Sequence, residues 1–423
     1  MAYSRKDRVR FAHTDTPVVV VNGQLGALAI MRSLGPLGVP LYGVSNSRQD
    51  PAMRSRYCRE AFELRFNEDR PEPYLAGLLD IARRLGRRAI LIATSDETTQ
   101  FVADNADVLR EHFLFQENSP ERIRQLASKR EMFGTATKYG VPTPDTKFPR
   151  TIDDVHAYIR DGGSFPVMLK GIYGNRLQLR TSKKMEIVRT PEELVDAYRR
   201  MEDPQAPNLM IQELIPGTDD QVYIFNGYFD RNSDCLAGFT GYKVRQYPVH
   251  VGCASLGECR WVEEVASTTI DFMKAIGYQG ILDIGYRLDP RDGKYKVLDI
   301  NPRVGQAFRL FVAENDHDVV KALYLDFTGQ QQPPVVPREG RRWAIEDCDL
   351  ISSIDYYREG TLRPVQWLRS YRRLEELAWF DWRDPAPVLE LLRRYSGQTA
   401  RYVAKRVKRR VTRRAAAQPA VIT

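Results

Sequence analysis

The chain has 423 residues, which suits about two to four domains, and its 43% hydrophobic and 10% aromatic content is enough for sizeable cores. This composition excludes a long disordered chain. The amino terminus "MAYSRKDRVR" is charged, and no apolar run long enough for a signal peptide or a membrane span follows it, so we expect a cytoplasmic protein.

The charge of the chain is concentrated at its carboxyl end. The net charge is +8, and residues 401–423, here called the basic tail, hold eight bases and no acid. The rest of the chain is therefore close to neutral, which argues against a broad surface for nucleic acid. The five cysteines are irregularly spaced, which predicts free thiols rather than a metal or redox site.

Two βαβ units are predicted near the amino terminus. The apolar run "PVVVVNG" is followed by helical spacing in "QLGALAIMRSLGPLG" and by a second apolar run, "VPLYGVS". A helix near residues 72–86, the strand "RAILIAT" and a helix capped at Ser95 or Asp96 form the second unit. These units predict a parallel sheet. The turn "NGQLGA" lacks a full GxGxxG motif, so dinucleotide binding is not favoured there.

A Pro-rich break at residues 140–149 leads into a second set of elements. The strand "FPVMLKG", the capped helix "TPEELVDAYRRM" and the strand "NLMIQELIPG" come first. The helix "EVASTTIDFMKAIG" and two strands joined by the turn "PRDG" follow. The segment "TGQQQPPVVPREG" (328–340) is a linker to a mixed helical region rich in Trp and Arg.

The last strand of that hairpin carries the most informative polar residues. In "KVLDINPRVG", Asp299, Asn301 and Arg303 are two residues apart, so we expect their side chains on one face of the strand. Asp283, on the preceding strand, is placed to face them. Carboxylate and amide oxygens suit Mg²⁺, and a guanidinium suits a phosphate. A solvent-exposed strand face with an ion pair is the alternative.

Upstream residues supply the other half of a nucleotide site. Lys170 ends a strand and precedes "GIYGNRLQ", which is predicted as a flexible glycine loop over the phosphates. Lys129 is a second phosphate-binding candidate. In "IQELIPGTDD", Glu213 is expected to accept from adenine, the Ile215 backbone to meet the ring edge, and an aspartate to bind the ribose. No Walker-type GxxxxGK motif is present.

This order of residues resembles the ATP-grasp carboxylate–amine ligases, which include D-alanine–D-alanine ligase, biotin carboxylase and D-aspartate ligase. The resemblance spans residues 17–330, and "DINPR" is its most specific part. It implies that ATP is held by Lys129, Lys170, Gln212, Glu213, Leu214, Ile215 and Asp220. It also implies that Asp299 and Asn301 bind Mg²⁺ or Mn²⁺.

The resemblance further implies an α/β architecture in three parts. A Rossmann-like pre-ATP-grasp domain (1–118) precedes a two-part ATP-grasp core (119–330), and a helical extension with the basic tail (331–423) follows. The core consists of a lid subdomain (about 140–206) and a metal-binding subdomain (about 207–330), with ATP between them.

One position departs from the family pattern. The usual first metal acid falls at Gly285, and Asp283, on the same strand face, is predicted to replace it as a metal ligand. Lys243 and Arg245 alternate along a strand-like stretch and either line the phosphate or substrate pocket or are solvated. Arg309 is a candidate for binding a substrate carboxylate.

The predicted activity is the ATP-dependent ligation of a small carboxylate to an amine through an acyl phosphate. Arg303 and Lys170 are the candidate catalytic residues, because their charges stabilise the phosphoryl group and the intermediate. No general base is needed for the first step, since a carboxylate is already ionised at neutral pH. A small-molecule kinase and a nucleotide-binding regulatory protein without turnover remain alternatives.

The basic tail predicts a further contact. In "RYVAKRVKRRV", Val403, Val407 and Val411 form a narrow apolar stripe between basic residues. This pattern is typical of a basic helix on an anionic surface, and it predicts peripheral binding of residues 401–414 to an anionic membrane. A solvated basic end is the other interpretation, and the sequence leaves a homodimer open.

Overall fold

The computed structural model describes residues 9–183 and 185–396, so the basic tail and its predicted membrane contact lie outside the described residues. Within these residues the chain forms three β-sheets of five, four and seven strands, with helices packed on them. The α/β fold class predicted from the sequence is therefore confirmed. In this part of the chain, no helix is both long and apolar enough to cross a membrane.

The first sheet is parallel, with strand order β3-β2-β1-β4-β5. Its strands are β1 Val18–Val21, β2 Leu41–Ser45, β3 Cys58–Glu63, β4 Ala89–Ala93 and β5 Phe113–Leu114. Its helices are α1 Leu25–Leu34, α2 Glu72–Leu85, α3 Asp96–Asp104 and α4 Ala106–Leu109. The four valines of β1 are all buried, as expected for a central strand covered on both faces. The two predicted βαβ units are confirmed.

The second sheet is antiparallel, with strand order β6-β9-β7-β8. Helices α5 Pro120–Ala127 and α6 Lys129–Lys138 precede it. Its strands are β6 Thr146–Lys147, β7 Val167–Gly171, β8 Met185–Val188 and β9 Leu209–Glu213, and its helices are α7 Ile152–Arg160, α8 Gly174–Thr181 and α9 Pro191–Met201.

The segment after β7 differs from its prediction as a flexible glycine loop. It forms helix α8, and Leu177 anchors this helix because its side chain is buried in the cluster shared with β7 and α9. Gly171 has a packing role, since a Cβ atom there would lie 2.9 Å from the Leu177 Cβ atom. Close packing of α8 on β7, rather than loop flexibility, therefore explains this glycine.

The third sheet has the order β14-β13-β10-β11-β12-β15-β16. Its strands are β10 Val222–Phe229, β11 Cys235–Tyr247, β12 Cys253–Cys259, β13 Gly280–Leu288, β14 Tyr295–Asn301, β15 Arg342–Ala344 and β16 Leu374–Leu377. The remaining helices are α10 Glu263–Ala275, α11 Val319–Phe327, α12 Glu346–Arg358, α13 Pro364–Ser370 and α14, which includes residues 386–396. The extension beyond residue 330 thus supplies two strands to this sheet as well as helices. The domain boundaries themselves stay predictions.

A β-bulge in β11 directs Arg245 into the interior. The register with β12 shifts between Lys243, which pairs with Gly257, and Arg245, which pairs with Leu256. The extra residue changes the face that the following side chains occupy. Arg245 donates from Nε and Nη2 to Asp349 of α12 at 2.9 and 2.6 Å, and both side chains are almost inaccessible to water. The prediction of Arg245 as a nucleotide-binding residue is therefore corrected, because its guanidinium holds α12 on the sheet.

We expect Asp349→Ala to lower the free energy of unfolding by about 3–5 kcal/mol, because it leaves the buried Arg245 charge unpaired. Urea-induced unfolding followed by tryptophan fluorescence measures this loss. Asp80→Ala is the matched control, since the Asp80–Arg83 pair is exposed and should be worth less than about 1 kcal/mol. Equal losses in the two variants would show that the buried pair does not anchor α12.

Candidate functional site

The hairpin of β13 and β14 forms the centre of the candidate site. Asp283 pairs across the strands with Asn301, and Gly285 pairs with Asp299. This antiparallel register brings the predicted metal ligands Asp283, Asp299 and Asn301 together at the end of the hairpin. The Asn301 side chain also donates from Nδ2 to Asp299 Oδ2 at 3.3 Å.

A bulge in β14 decides which side chains face this site. The register with β13 shifts so that Leu298 has no cross-strand partner. Val297 and Ile300, three residues apart, are consequently both buried in the same core cluster. Asp299 and Asn301 point to the opposite, accessible side of the strand.

Cations surround the two carboxylates unequally. Lys129, at the start of α6, donates to Asp299 Oδ1 at 2.6 Å. Burial opposes the charge on Asp299, but Lys129, Lys170 and Arg303 outweigh it and lower the pKa of Asp299 to about 2. Burial raises the pKa of Asp283 to about 6, against the attraction of Arg303. Asp299 is therefore the carboxylate that stays ionised throughout the neutral range.

Lys170 reaches the site from the second sheet. It lies on β7, and its Nζ atom donates to Gln212 Oε1 on β9 at 3.2 Å. Gln212 is buried and in turn donates to the Thr146 hydroxyl at 3.1 Å. Burial, with repulsion from Lys129, lowers the pKa of Lys170 to about 7. An incoming anion such as a phosphate would therefore favour the charged form of this lysine.

Arg303 connects the hairpin to the first sheet. Its Nε atom donates to Asp96 Oδ1 at 2.6 Å, and its Nη2 atom donates to Asn301 Oδ1 at 3.3 Å. Ser95 is the N-cap of α3, so Asp96, the first residue of that helix, has its carboxylate directed to Arg303. The sequence pattern identifies Asp96 only as a cap candidate. Its position after β4, which neighbours β1 at the switch point of an open parallel sheet, is the signal that marks it as a site residue.

The predicted adenine-binding segment is held by ion pairs. Glu213 accepts from Arg291 Nη2 at 2.7 Å and from Lys296 Nζ at 3.1 Å. Its role as the acceptor for adenine stays a prediction, since a carboxylate that accepts from two cations keeps further acceptor sites. Leu214 and Ile215 follow on the same segment, and Ile215 is buried.

Three further candidates have partners outside the hairpin. Asp220 accepts from the Thr218 hydroxyl and is exposed just after residues 214–217, here called the hinge segment. Lys243 donates to the Gly252 carbonyl oxygen at 2.8 Å. Arg309 makes a two-point ion pair with Glu376 at 2.9 and 2.8 Å, so its guanidinium is not available to a substrate carboxylate.

The oxygen donors of the β13–β14 hairpin suit a Mg²⁺ ion. Within residues 9–183 and 185–396, no group of three or more His, Cys, Asp or Glu side chains is arranged to hold a metal. Asp283, Asp299 and Asn301 offer two carboxylates and an amide instead. Such a set fits Mg²⁺, which one or two carboxylates usually hold together with substrate phosphates.

Part of the chain is similar in sequence to a curated ligase. No family model matches the chain. The D-aspartate ligase of Enterococcus faecium (strain Aus0004) is 25% identical over 232 residues, which are 52% of this chain and 54% of the ligase. The chain therefore spans about half the length of the curated relative that it matches.

Solved structures match over more of the chain. The L-amino acid ligase from Bacillus licheniformis superposes with a TM-score of 0.58 at 14% identity, covering 78% of this chain and 79% of that chain. The biotin carboxylase domain dimer of the Hydrogenobacter thermophilus 2-oxoglutarate carboxylase, a complex with MgADP, ADP and bicarbonate, has a TM-score of 0.58 at 17% identity and covers 78% and 74%. The chain has the ATP-grasp fold.

Gly285 is the clearest departure from the ATP-grasp pattern, and the structure has space for a side chain at this position. A Cβ atom on Gly285 would have one neighbour within 4 Å among the described residues, the Asp299 Cβ atom at 4.0 Å. The backbone at Gly285 is not in the left-handed region. An acidic side chain therefore fits beside Asp299 without strain.

We expect Gly285→Asp to tighten Mn²⁺ binding in the presence of an ATP analogue by about tenfold, because it adds a carboxylate beside Asp299. Electron paramagnetic resonance of free Mn²⁺ measures the affinity. Gly134→Asp, on the exposed side of α6, adds the same charge away from the hairpin and is the control. The same affinity in both variants would mean that the metal does not approach this space.

Nucleotide affinity should depend on pH through Lys170. Its pKa is lowered to about 7, so the ammonium is lost as pH rises above 7, and the attraction for phosphate goes with it. We expect the affinity for an ATP analogue to weaken between pH 7 and 9 by up to about tenfold per unit. Lys170→Arg should remove this dependence because arginine stays charged.

Calorimetric titration across that pH range measures the effect. Lys147→Arg is the control, since Lys147 is an exposed lysine whose replacement should leave the profile as in the wild type. A profile that persists in Lys170→Arg would assign the titration to another group.

Proposed function

We propose that the chain is an ATP-dependent ligase that joins a small carboxylate to an amine through an acyl phosphate, with release of ADP and phosphate. The observation that carries the proposal is the convergence on one hairpin of oxygen ligands and cations. Asp299 and Asn301 supply the oxygens, while Lys129, Lys170 and Arg303 approach from different parts of the fold. The partial similarity to a D-aspartate ligase and the structural similarity to an L-amino acid ligase support this chemistry.

ATP and a carboxylate are the first two substrates in this proposal. Lys129 and Lys170 would hold the phosphates, and Asp283, Asp299 and Asn301 would hold Mg²⁺ or Mn²⁺. When bound, the metal neutralises charge on the phosphate oxygens. The complex of one structural relative with MgADP supports this choice of cofactor.

In the first step, an oxygen of the substrate carboxylate forms a bond to the γ-phosphorus of ATP, and the bond from that phosphorus to the bridging oxygen of ADP breaks. The substrate is already an anion at neutral pH, so the protein contributes charge and position. Arg303 is suited to the transferred group because it is always charged and is held at 2.6 Å by Asp96.

In the second step, the amine nitrogen forms a bond to the acyl carbon and the bond from that carbon to the phosphate oxygen breaks. The proton lost by the nitrogen leaves with the released phosphate. The negative charge on the tetrahedral intermediate is stabilised by the same guanidinium. Asp96 fixes the orientation of Arg303 from the first sheet, so the relative position of the two sheets sets the geometry of this charge.

Product analysis tests the proposal. We expect Mg²⁺-dependent formation of ADP and phosphate that a carboxylate and an amine together stimulate, in a screen of amino acids and small carboxylates. AMP and pyrophosphate would indicate adenylation, and a stable phosphorylated product would indicate a kinase. Absence of turnover across the screen would favour a nucleotide-binding protein without catalysis.

Two substitutions separate the roles within the same assay. Asp299→Ala should abolish turnover and metal binding, whereas Arg303→Ala should reduce turnover by about a hundredfold or more with little change in ATP affinity. Asp292→Ala, in the hairpin turn, is the control that should retain activity. Equal losses of ATP affinity in both site variants would contradict this division.

A further inference from the structure

Helix α12 has its polar and apolar faces reversed. Its buried side packs Asp349, Ser352 and Ser353 against the third sheet, at 0%, 0% and 7% exposure. Its outward side presents four large apolar residues at helical spacing, namely Leu350, Ile351, Ile354 and Tyr357, with exposures of 54%, 46%, 45% and 60%. A surface helix normally has the opposite arrangement. The outward face of α12, defined by these four residues, is therefore suited to being covered.

The elements around α12 also expose large apolar side chains. Of the 20 large apolar residues that are exposed in the described chain, 11 lie within residues 346–396. Tyr395 of α14 donates its hydroxyl proton to Asp347 at the start of α12. Tyr247, which is 38% exposed, lies close enough to Tyr395 for the two hydroxyls to interact electrostatically. The apolar surface therefore extends beyond one helix.

The charge around the outward face is negative. Residues 346–359 contain five acids, Glu346, Asp347, Asp349, Asp355 and Glu359, and one base, Arg358, which gives a net charge of −4. Asp349 is neutralised by Arg245. Asp355 pairs with Arg358 at 3.4 Å and Glu359 with His250 at 2.9 Å, but both carboxylates stay exposed beside the apolar residues. The partner that fits this face is thus an apolar stripe flanked by positive charge.

We propose that the outward face of α12 is the docking site of the chain's own basic tail, through Val403, Val407 and Val411. The tail has eight bases and no acid, which is complementary to the net charge of −3 that residues 346–359 have once Arg245 is counted with them. Its three valines form a narrow apolar stripe in the sequence, as the exposed row from Leu350 to Tyr357 does on α12. The inference goes beyond the proposed ligase activity and does not depend on it.

The end of the described chain places the tail within reach. Residue 396 ends the described part of α14, and the Tyr395 contact with Asp347 fixes this end one turn before Leu350. Residues 397–400 can span at most about 14 Å. A helix from Val403 to Val411 would be about 12 Å long, against about 10 Å from Leu350 to Tyr357. The two surfaces therefore agree in length as well as in charge.

Charge distinguishes this occupant from two others. A second copy of the chain would bring the same negative helix against α12, and like charges would oppose that contact. An anionic membrane would be repelled by Asp355 and Glu359 in the same way. The tail combines apolar side chains with opposite charge, so it is the occupant that the surface favours.

Site-specific photo-crosslinking in the full chain tests the proposal. Benzoylphenylalanine at position 354 should crosslink to residues 401–411 of the same molecule, as identified by mass spectrometry. The same group at position 179, a leucine on α8 that is 89% exposed, is the control and should not crosslink to the tail. Crosslinks from position 354 to a second copy, or none to the tail, would overturn the proposal.

A binding measurement in trans gives an independent readout. The chain truncated after Gln398 should bind a synthetic peptide of residues 399–423, and Ile354→Ser in the truncated chain should weaken binding at least tenfold without unfolding it, because Ile354 is exposed and the change removes apolar surface without altering the charge. A peptide with serine at the three valine positions should also bind at least tenfold more weakly. Undiminished binding by either variant would overturn the proposal.

Anionic and neutral vesicles test whether the tail binds a membrane in preference to α12. The docked tail should still crosslink from position 354 in the presence of anionic vesicles. If the full chain sediments with anionic vesicles and the crosslink disappears, the membrane is the preferred occupant and the proposal is wrong.

Discussion

The register of the β13–β14 hairpin is the constraint on which the candidate site depends. Because side chains on a strand alternate, a slip of one residue would exchange the core and site faces of β14. Val297 and Ile300 are three residues apart, so strict alternation would put them on opposite faces. The bulge at Leu298 lets both enter the core while Asp299 and Asn301 face the site. The placement of the Asp299 and Asn301 oxygens is thus a consequence of how an apolar strand pairs with its neighbour.

The cations of the site come from separate parts of the fold, and each is oriented by a different partner. Lys129 is held by Asp299, Lys170 by Gln212, and Arg303 by Asp96. The first sheet therefore takes part in the site through the Asp96 carboxylate of α3, and movement between the sheets would shift the Arg303 guanidinium. In the proposed ligase reaction, in which the protein supplies mainly position and charge, the packing between sheets would therefore contribute to catalysis.

Helix α12 links the carboxyl-terminal extension to the same region. Arg245 and Asp349 fix the helix to the third sheet, and the Tyr356 hydroxyl donates to Asp219 next to the hinge segment. These contacts bury the polar side of α12, so its apolar side faces outward. Docking of the basic tail there would cover exposed apolar surface and hold an element that contacts the hinge. Under this proposal, α12 would connect the tail to the candidate site.

The sequence by itself determined the elements whose signals are local. Alternating or continuous apolar runs placed the βαβ units, and the two-residue spacing placed Asp299 and Asn301 on one face, because strand and helix periods are properties of short segments. Only the tertiary structure decided where Arg245, Glu213 and Asp96 would point. A one-residue bulge turned Arg245 inward, two distant cations occupied Glu213, and Asp96 meets Arg303 across 207 positions of the chain. Such pairings depend on which surfaces meet after folding, so the periodicity of a short segment of sequence does not predict them.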